Sequence, residues 1–349
     1  MSDQETAPNF DEIRAILSAL PGPDAASGAA ARARQDRLTK PQGSLGRLEE
    51  LATWMATWQG KAIPELRRAR VAVFAGNHGV VARGVSAFPA EVTRQMVANF
   101  TAGGAAVNQI CGVVDAELRV YELDLEAATQ DFTTGPAMEE EECARAMAYG
   151  MMAVDGNLHL LALGEMGIGN TTSGAALCRA LFGGTAADWV GRGTGIDDAG
   201  VQRKIAAIEA GIAANAGALG HPLEVLRCFG GFELAAICGA VIAARLAHTP
   251  VVLDGYTCTA AAAVLHAIDP GFLDHCVVGH CSAEPGHARL LARLGKTPLL
   301  DYGMRLGEGS GAALAIPILR AAVACLANMA TFEQAGVSTG EDAATGRAP

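Results

Sequence analysis

Short apolar runs and longer segments of helical period alternate along most of this chain. Six apolar runs have the length and composition of buried strands: residues 71–75, 118–123, 158–163, 188–191, 250–253 and 276–279. The segments of helical period between them are residues 90–111, 139–154, 173–182, 201–216 and 232–247. This alternation predicts an α/β fold, with a mostly parallel sheet of about six strands and helices on both faces.

The two ends of the chain lie outside this alternation. Residues 9–20 and 311–332 are predicted to be helices that pack together. The expected domains are a large α/β domain, residues 26–311, and a small helical domain, residues 1–25 and 312–335. Residues 336–349 are small and polar, so we expect a disordered tail there.

Composition excludes several classes of protein. With 349 residues, 50% of them hydrophobic, the chain is long enough to bury a large core. The net charge of −11, with Lys and Arg scattered, argues against a nucleic-acid partner. No segment reaches the roughly 18 uninterrupted apolar residues of a membrane span, and residues 1–10 lack the basic and apolar regions of a signal peptide. We expect a cytoplasmic protein with no membrane span.

The cysteines indicate a reduced protein. There are 9 of them, without a Cys-x-x-Cys pair, and most lie in apolar periodic segments. His275, Cys276, His280 and Cys281 crowd together, but on a predicted strand they alternate between opposite faces. We therefore predict no metal site there.

Glycine-rich loops follow several predicted strands, at the edge where such sheets bind ligands. The loop at residues 164–172 leads into Asn170 and Thr171, which are good helix N-caps. Such a helix start suits a phosphate, although an ordinary capped turn has the same pattern. Lys204, near the start of a later helix, either supplies the counter-charge of a phosphate or is solvated. The sequence lacks a P-loop and a dinucleotide fingerprint, and we expect no cofactor.

A lone carboxylate, Glu308, stands between Gly307 and Gly309, just before the apolar run 312–319. Glycines adopt backbone conformations that other residues avoid, so this carboxylate can be held out of a tight turn as a catalytic base. Taken alone, the pattern is more typical of a loop with a solvated glutamate. His78, in a turn after the first predicted strand, is either an acid or base or a hydrogen-bonded turn residue.

Seven motifs together carry a resemblance that extends from about residue 38 to residue 329. They are residues 40–49, 77–80, 164–172, 230–233, 253–255, 282–284 and 304–313. Their order and spacing resemble those of the nicotinate-nucleotide:dimethylbenzimidazole phosphoribosyltransferase family. The resemblance implies a Rossmann-like large domain, a small domain made from both chain ends, and a homodimer. It also implies transfer of the phosphoribosyl group of nicotinate mononucleotide to 5,6-dimethylbenzimidazole, which gives nicotinate and α-ribazole 5'-phosphate for the nucleotide loop of cobalamin.

The same resemblance implies roles for particular residues. Glu308 falls where the family has its catalytic base, and Glu165 where a second active-site carboxylate lies. The residues that fall on or beside the phosphate and ribose site are Gly167, Asn170, Thr171, Lys204 and Ser282. Gly307, next to the base, is expected to line the substrate site.

The implied reaction needs one base and no acid. Nicotinate leaves from a pyridinium, so its nitrogen departs neutral. A nitrogen of the incoming azole attacks the anomeric carbon from the opposite face, inverting β to α, while the proton of its other nitrogen goes to Glu308. An apolar surround of Met304, Leu306 and Leu314 would raise the pKa of Glu308, whereas the helix start just after it would lower that pKa. The sequence leaves open which effect dominates.

Two positions depart from the family pattern. Phe88 and Met96 stand where family members carry a Ser and a Gln that approach the incoming base, so we expect a less polar base pocket. Asn77 stands where an Asp often precedes the His-Gly pair.

Two other functions are alternatives to this transfer. They are the same chemistry on a different lower-ligand base, and a nucleotide-binding protein without turnover. A redox enzyme on a doubly wound sheet is a third reading, but its glycine fingerprint is missing.

Overall fold

The computed structural model describes residues 8–338, and its centre is a parallel sheet of five strands. The strands are β1 (Ala69–Ala75), β2 (Glu117–Glu122), β3 (Leu160–Met166), β4 (Val251–Leu253) and β5 (Cys276–Val278). Their order is β2-β1-β3-β4-β5, and every neighbouring pair is parallel. The predicted α/β fold is confirmed, with five strands rather than about six.

Side chains of the central strands alternate between two cores, one on each face of the sheet. In β3, Leu161 and Leu163 belong to one core, whereas Leu160 and Ala162 belong to the other. Successive side chains of a strand point to opposite faces, so a strand that is covered on both faces is apolar at nearly every position. These strands are therefore visible in the sequence as unbroken apolar runs.

Helices cover both faces of the sheet. In chain order they are α1 (Phe10–Ser18), α2 (Ala25–Gln35), α3 (Arg47–Gln59), α4 (Glu91–Ala102), α5 (Ala106–Val114), α6 (Glu140–Met151), α7 (Asn170–Phe182), α8 (Asp198–Ala214), α9 (Pro222–Phe229), α10 (Phe232–Leu246), α11 (Tyr256–Ile268), α12 (Pro285–Leu294), α13 (Ser310–Asn328) and α14 (Phe332–Ala335). One core contains residues of α1 and of α6 to α12, and the other contains residues of α2 to α5 and of α13. The predicted three-layer arrangement is confirmed.

One predicted strand is wrong. Within the predicted strand 188–191, Asp188 ends a short 3-10 helix, Ala186–Asp188, and residues 189–191 form no ladder. Trp189 is buried in the core there, and its indole N–H donates to the Gly183 carbonyl oxygen at 2.9 Å. A large aromatic ring can bury a short apolar run without strand pairing, which is why the run resembled a strand.

Several helical segments also differ from the prediction: α2, α3 and α9 were not predicted, and two further differences have clear physical causes. Residues 90–111 form two helices rather than one, because Gly103 adopts the left-handed conformation (φ 80°) that ends α4. Helix α11 was not predicted. Its residues from Tyr256 to Leu265 are all buried, so it lacks the polar face that gives a helix its sequence period.

The prediction that the helices at the two chain ends pack together is wrong, because they join different cores on opposite faces of the sheet. α1 packs near α6 through Phe10, Ile13 and Leu17, whereas α13 packs against α3 and α5 on the other face. The division into a large domain and a small domain stays a prediction. Of the predicted tail, Gly336 ends α14, and residues 339–349 lie outside the described residues.

Within residues 8–338, one helix has the length and composition of a membrane span. α13 reaches a mean hydropathy of 1.8, and 56% of its most apolar window is buried inside the protein. Ile316 and Leu319 are fully buried in the core that α13 shares with the sheet. A core helix passes the same test of length and hydropathy, so α13 is weak evidence for a span.

Candidate active site

A cleft of about 440 Å³ lies at the carboxyl ends of β3, β4 and β5. Its walls come from the loops that follow these strands, from α4, and from the turn that precedes α13. The predicted site residues that line it are Phe88, Met96, Glu165, Gly167, Asn170, Thr171, Ser282, Gly307 and Glu308. Lys204, the remaining one, lies behind the wall and touches Thr171. The fold thus gathers at one place residues that are up to 220 positions apart (308 minus 88).

Glu308 sits in the middle of a left-handed turn. Gly307, Glu308 and Gly309 have φ values of 83°, 62° and 76°. The flanking glycines accept this conformation without cost, but for Glu308 it is unfavourable by about 1 kcal/mol or more. The N–H of Glu308 donates to the Glu165 carbonyl oxygen at 3.2 Å, which ties the turn to the end of β3. The turn therefore holds the Glu308 carboxylate at the cleft by means of a strained backbone.

Burial controls the acidity of Glu308. The residue is only 6% exposed, and burial raises the pKa of its carboxyl to about 7, with a further upward contribution from the negative charge of Asp254. The net change is upward, and burial is its largest cause. The expected apolar surround is at most partial, because Leu306 is 54% exposed.

Glu165 is a second carboxylate of altered acidity. Burial raises its pKa to about 8, a hydrogen bond from the Asn170 side chain opposes this, and the charges of Asp254, Glu233 and Glu308 raise the pKa further. The Asn170 Nδ2 atom donates to Glu165 Oε2 in that short hydrogen bond. At neutral pH, Glu165 is therefore mostly protonated, whereas Glu308 titrates.

The other end of the cleft suits an anion. Lys204 on α8 is only 2% exposed, so the alternative of a solvated lysine is wrong. Its Nζ donates to Thr171 Oγ1 at 2.8 Å, beside the N-terminus of α7, and lies 3.4 Å from the Gly191 carbonyl oxygen. Burial lowers the pKa of Lys204 to about 8, and the nearby charge of Glu284 opposes this change. A buried ammonium group next to a helix N-terminus favours a negatively charged ligand.

Gly193 allows this close packing. A Cβ atom at Gly193 would lie 2.8 Å from both Lys204 Nζ and Thr171 Oγ1, and the residue has a positive φ of 51°. Its N–H donates to Glu284 Oε1 at 2.9 Å, and its carbonyl oxygen accepts from Arg305 Nη1 at 2.6 Å. Gly193 therefore joins the loop that carries Glu284 to the loop that carries Glu308.

His78 serves as a hydrogen-bonded turn residue beneath the site. Its Nε2 lies 2.6 Å from Glu233 Oε1 and its Nδ1 lies 3.0 Å from Ser173 Oγ, and the ring is almost fully buried. The side chain of Asn77 donates to the Leu125 carbonyl oxygen at 2.8 Å. Neither His78 nor Asn77 lines the cleft described above.

Among residues 8–338, no group of three or more His, Cys, Asp or Glu side chains has the arrangement of a metal site. His275 Nε2 bonds to the Val241 carbonyl oxygen at 2.9 Å in the core, whereas His280 lines the cleft. The crowding of His and Cys in that part of the sequence thus has a packing explanation.

Comparison with known proteins shows the family of the chain that forms this cleft. The sequence profile of a family described as phosphoribosyltransferase matches residues 20–337. The chain belongs to this family. The nicotinate-nucleotide–dimethylbenzimidazole phosphoribosyltransferase of Cereibacter sphaeroides is 59% identical over 328 residues, which are 94% of this chain and 97% of that protein. The protein of the same name from Methylocella silvestris is 58% identical over 329 residues, which are 94% of this chain and 96% of that protein.

A solved structure agrees with the sequence comparison. The crystal structure of the Thermus thermophilus protein of this name matches with a TM-score of 0.84 and 45% identity. It covers 91% of this chain, and all of that chain is matched. The family resemblance inferred from the motifs is thereby confirmed.

Three charged residues at or beneath the cleft of this phosphoribosyltransferase were not predicted from the sequence: Asp254, Glu284 and Arg305. Glu284 Oε1 and Arg305 Nη1 bond to the backbone of Gly193, and Asp254 bonds to the turn around Glu308. All three lie within the motifs quoted above, and their place in those motifs was the only indication in the sequence that they belong to the site. Their partners are 50 or more positions away in the chain, so their roles were not visible locally.

Proposed function

We propose that this phosphoribosyltransferase transfers the phosphoribosyl group of nicotinate mononucleotide to 5,6-dimethylbenzimidazole. The products are nicotinate and α-ribazole 5'-phosphate, which supplies the lower ligand of cobalamin. The names of relatives that are 58% and 59% identical support these substrates. The observation that carries the proposal is one cleft whose lining includes both a buried carboxylate of raised pKa, Glu308, and Thr171, which the buried Lys204 contacts.

The chemistry of Glu308 fits the proposed step. The bond from the anomeric carbon to the nicotinate nitrogen breaks, and its electron pair neutralises the pyridinium. A nitrogen of the azole forms the new bond from the opposite face, and the proton on its other nitrogen passes to Glu308. A carboxylate with a pKa of about 7 is a stronger base than one of 4.5, and it is about half ionised at pH 7 and largely ionised at pH 8.

The anion site fits the 5'-phosphate of the substrate. Lys204 Nζ, with a pKa of about 8, is protonated at neutral pH and has one N–H more than its two contacts use. The N-terminus of α7 adds backbone donors and a positive dipole. Gly167, Thr171 and Ser282 line the same part of the cleft, where the ribose and phosphate would lie.

The wall that would face the incoming base is apolar. Phe88, Val92 and Met96 line it, and Phe88 remains 49% exposed in the chain without substrate. A base that carries methyl groups buries more apolar surface there than a polar purine does. We therefore expect dimethylbenzimidazole, or another lower-ligand base with apolar substituents, to be preferred.

Homodimer formation and a cytoplasmic location also stay proposals. The first rests on the family resemblance, and the second on the 9 free cysteines, which are typical of a reducing compartment. Size-exclusion chromatography with light scattering tests the first, since a dimer has twice the 35.7 kDa of the chain.

The decisive experiment is an assay for product. The protein is incubated with nicotinate mononucleotide and a panel of benzimidazoles, purines and phenols, and α-ribotides are detected by mass. We expect α-ribazole 5'-phosphate with dimethylbenzimidazole. If no base gives a product, the proposal fails, and tight nucleotide binding in the same samples would indicate a binding protein without turnover.

A further inference from the structure

Asp254, the residue after β4, is fully buried beneath the turn that carries Glu308. Its Oδ1 accepts the N–H groups of Gly311 at 2.7 Å and Ala312 at 2.8 Å, and its Oδ2 accepts that of Gly309 at 3.1 Å. Both oxygens act as acceptors, which is the pattern of an ionised carboxylate. Asp254 thus binds the backbone on the C-terminal side of Glu308 at three points.

The turn needs such an anchor. Three successive residues are left-handed there, and Glu308 is one of only four non-glycine residues with positive φ among residues 8–338. A strained conformation persists only where its surroundings hold it. The first N–H groups of α13 lack helical partners, and Asp254, just after β4, accepts those of Gly311 and Ala312.

We propose that Asp254 is a positioning residue for Glu308, and that it acts through these three hydrogen bonds and through its negative charge. The inference rests on the proposed role of Glu308 as the base. Displacement of the turn would move the carboxylate away from the azole proton, and a shift of about 1 Å is enough to lower turnover by about 10²-fold.

Several charged groups surround Glu308 from the packed elements. Glu165 faces it from the end of β3 and Asp254 from the end of β4. His280, after β5, lies with its Nε2 3.7 Å from Asp254 Oδ1, and Arg305 belongs to the same loop as Glu308. Burial raises the pKa of Glu308 to about 7, and the charge of Asp254 is the next contribution in the same direction.

Asp254→Asn tests the inference, because it removes the charge and sets an N–H group against one of the backbone N–H groups. We expect kcat to fall by about 10- to 100-fold. The KM for nicotinate mononucleotide should change by less than about threefold, since the anion site lies on other loops. The acid limb of the kcat profile should move to lower pH by about one unit, because a like charge next to Glu308 is lost.

Asp24→Asn is the matched control. Asp24 Oδ1 accepts the Ser27 N–H at 2.9 Å at the start of α2, so it caps a helix as Asp254 does, but it lies away from the cleft. This variant should keep the kcat and the pH profile of the unmodified protein. An acid limb of Asp254→Asn that stays in place, in an active and folded protein, would overturn the electrostatic part of the inference.

A double variant shows whether Asp254 acts through Glu308. In a Glu308→Gln background, Asp254→Asn should lower kcat by less than about threefold more, because the group that it positions is already gone. If the two losses multiply in full, Asp254 acts independently of Glu308 and the inference is wrong.

If Asp254→Asn does not fold, hydrogen exchange on the unmodified protein tests the same three hydrogen bonds. The amides of Gly309, Gly311 and Ala312 should be protected as strongly as those of β3, and fast exchange would show that Asp254 does not hold the turn. The two proposals fail in different ways. If the proposed function is wrong, the unmodified protein makes no product with any base. If only the role of Asp254 is wrong, the unmodified protein still turns over.

Discussion

The substitution Glu308→Gln should make the protein more stable above pH 7, although it removes the proposed base. In the folded protein the pKa of Glu308 is raised from 4.5 to about 7, chiefly by burial. The folded state therefore keeps a proton that the unfolded chain releases, and stability falls as the pH rises from 4.5 to about 7. Above pH 7 the whole penalty is present. A glutamine, which is never charged, avoids it.

The size of the gain follows from the same values. The difference between 4.5 and about 7 corresponds to about 3.4 kcal/mol. The carboxylate lines an open cleft, and solvent screening reduces this figure to about 1–2 kcal/mol. For a chain of 349 residues, about 1 kcal/mol changes the Tm by roughly 1–2 °C, so we expect a rise of about 1–3 °C at pH 8.5. At pH 5 the gain should shrink to about a quarter of that.

Calorimetric melts of both proteins at pH 8.5 and pH 5 measure this effect. Glu126→Gln is the matched control, because the Glu126 side chain is 75% exposed and pairs only with the exposed Arg94. Its Tm should stay within about 1 °C of the unmodified protein at both pH values. A Glu308→Gln protein that is no more stable than the unmodified one at pH 8.5 would refute the argument that Glu308 is ionised at a cost.

The remaining predictions concern activity. Glu308→Gln should lower turnover by about 10²–10⁴-fold in the product assay, and an unchanged rate would remove Glu308 from the mechanism. Lys204→Met should raise the KM for nicotinate mononucleotide by about 10- to 100-fold, with the exposed Lys61→Met as control; an unchanged KM would place the phosphate elsewhere. Phe88→Ser combined with Met96→Gln should shift the order of preference among bases towards polar ones, and the same order in a competition assay would show that this wall does not select the base.

The sequence predicted those strands and helices whose burial produces a recognisable pattern of apolar residues. Strands that are covered on both faces are apolar at nearly every position. With the partly exposed edge strand β2, they make up the five of six predicted strands that the structure contains. The failures have the same origin. Residues 188–191 are apolar because Trp189 is buried without strand pairing, and α11 is buried on all sides and therefore has no polar face.

The sequence by itself determined the local chemistry of the site. Glycines on both sides of Glu308 permit the left-handed turn, and the glycine loop at 164–172 leads into a helix start at the cleft. The N-cap of α7 is Gly169, without a side-chain cap, so the prediction of Asn170 or Thr171 as the cap is wrong. These properties depend on neighbours along the chain, and they can be read without a fold. The order of the motifs also identified the family.

Only the tertiary structure decided how acidic these groups are and what holds them. The pKa of Glu308 depends on burial and on Asp254, which is 54 positions away (308 minus 254), and the pKa of Lys204 depends on burial and on Glu284. Charge effects and desolvation act through space over a few ångströms, whereas the sequence records only distance along the chain. For that reason the sequence alone shows a glutamate between two glycines. Its burial and its raised pKa are evident only from the structure, in which the ends of separate strands form one cleft.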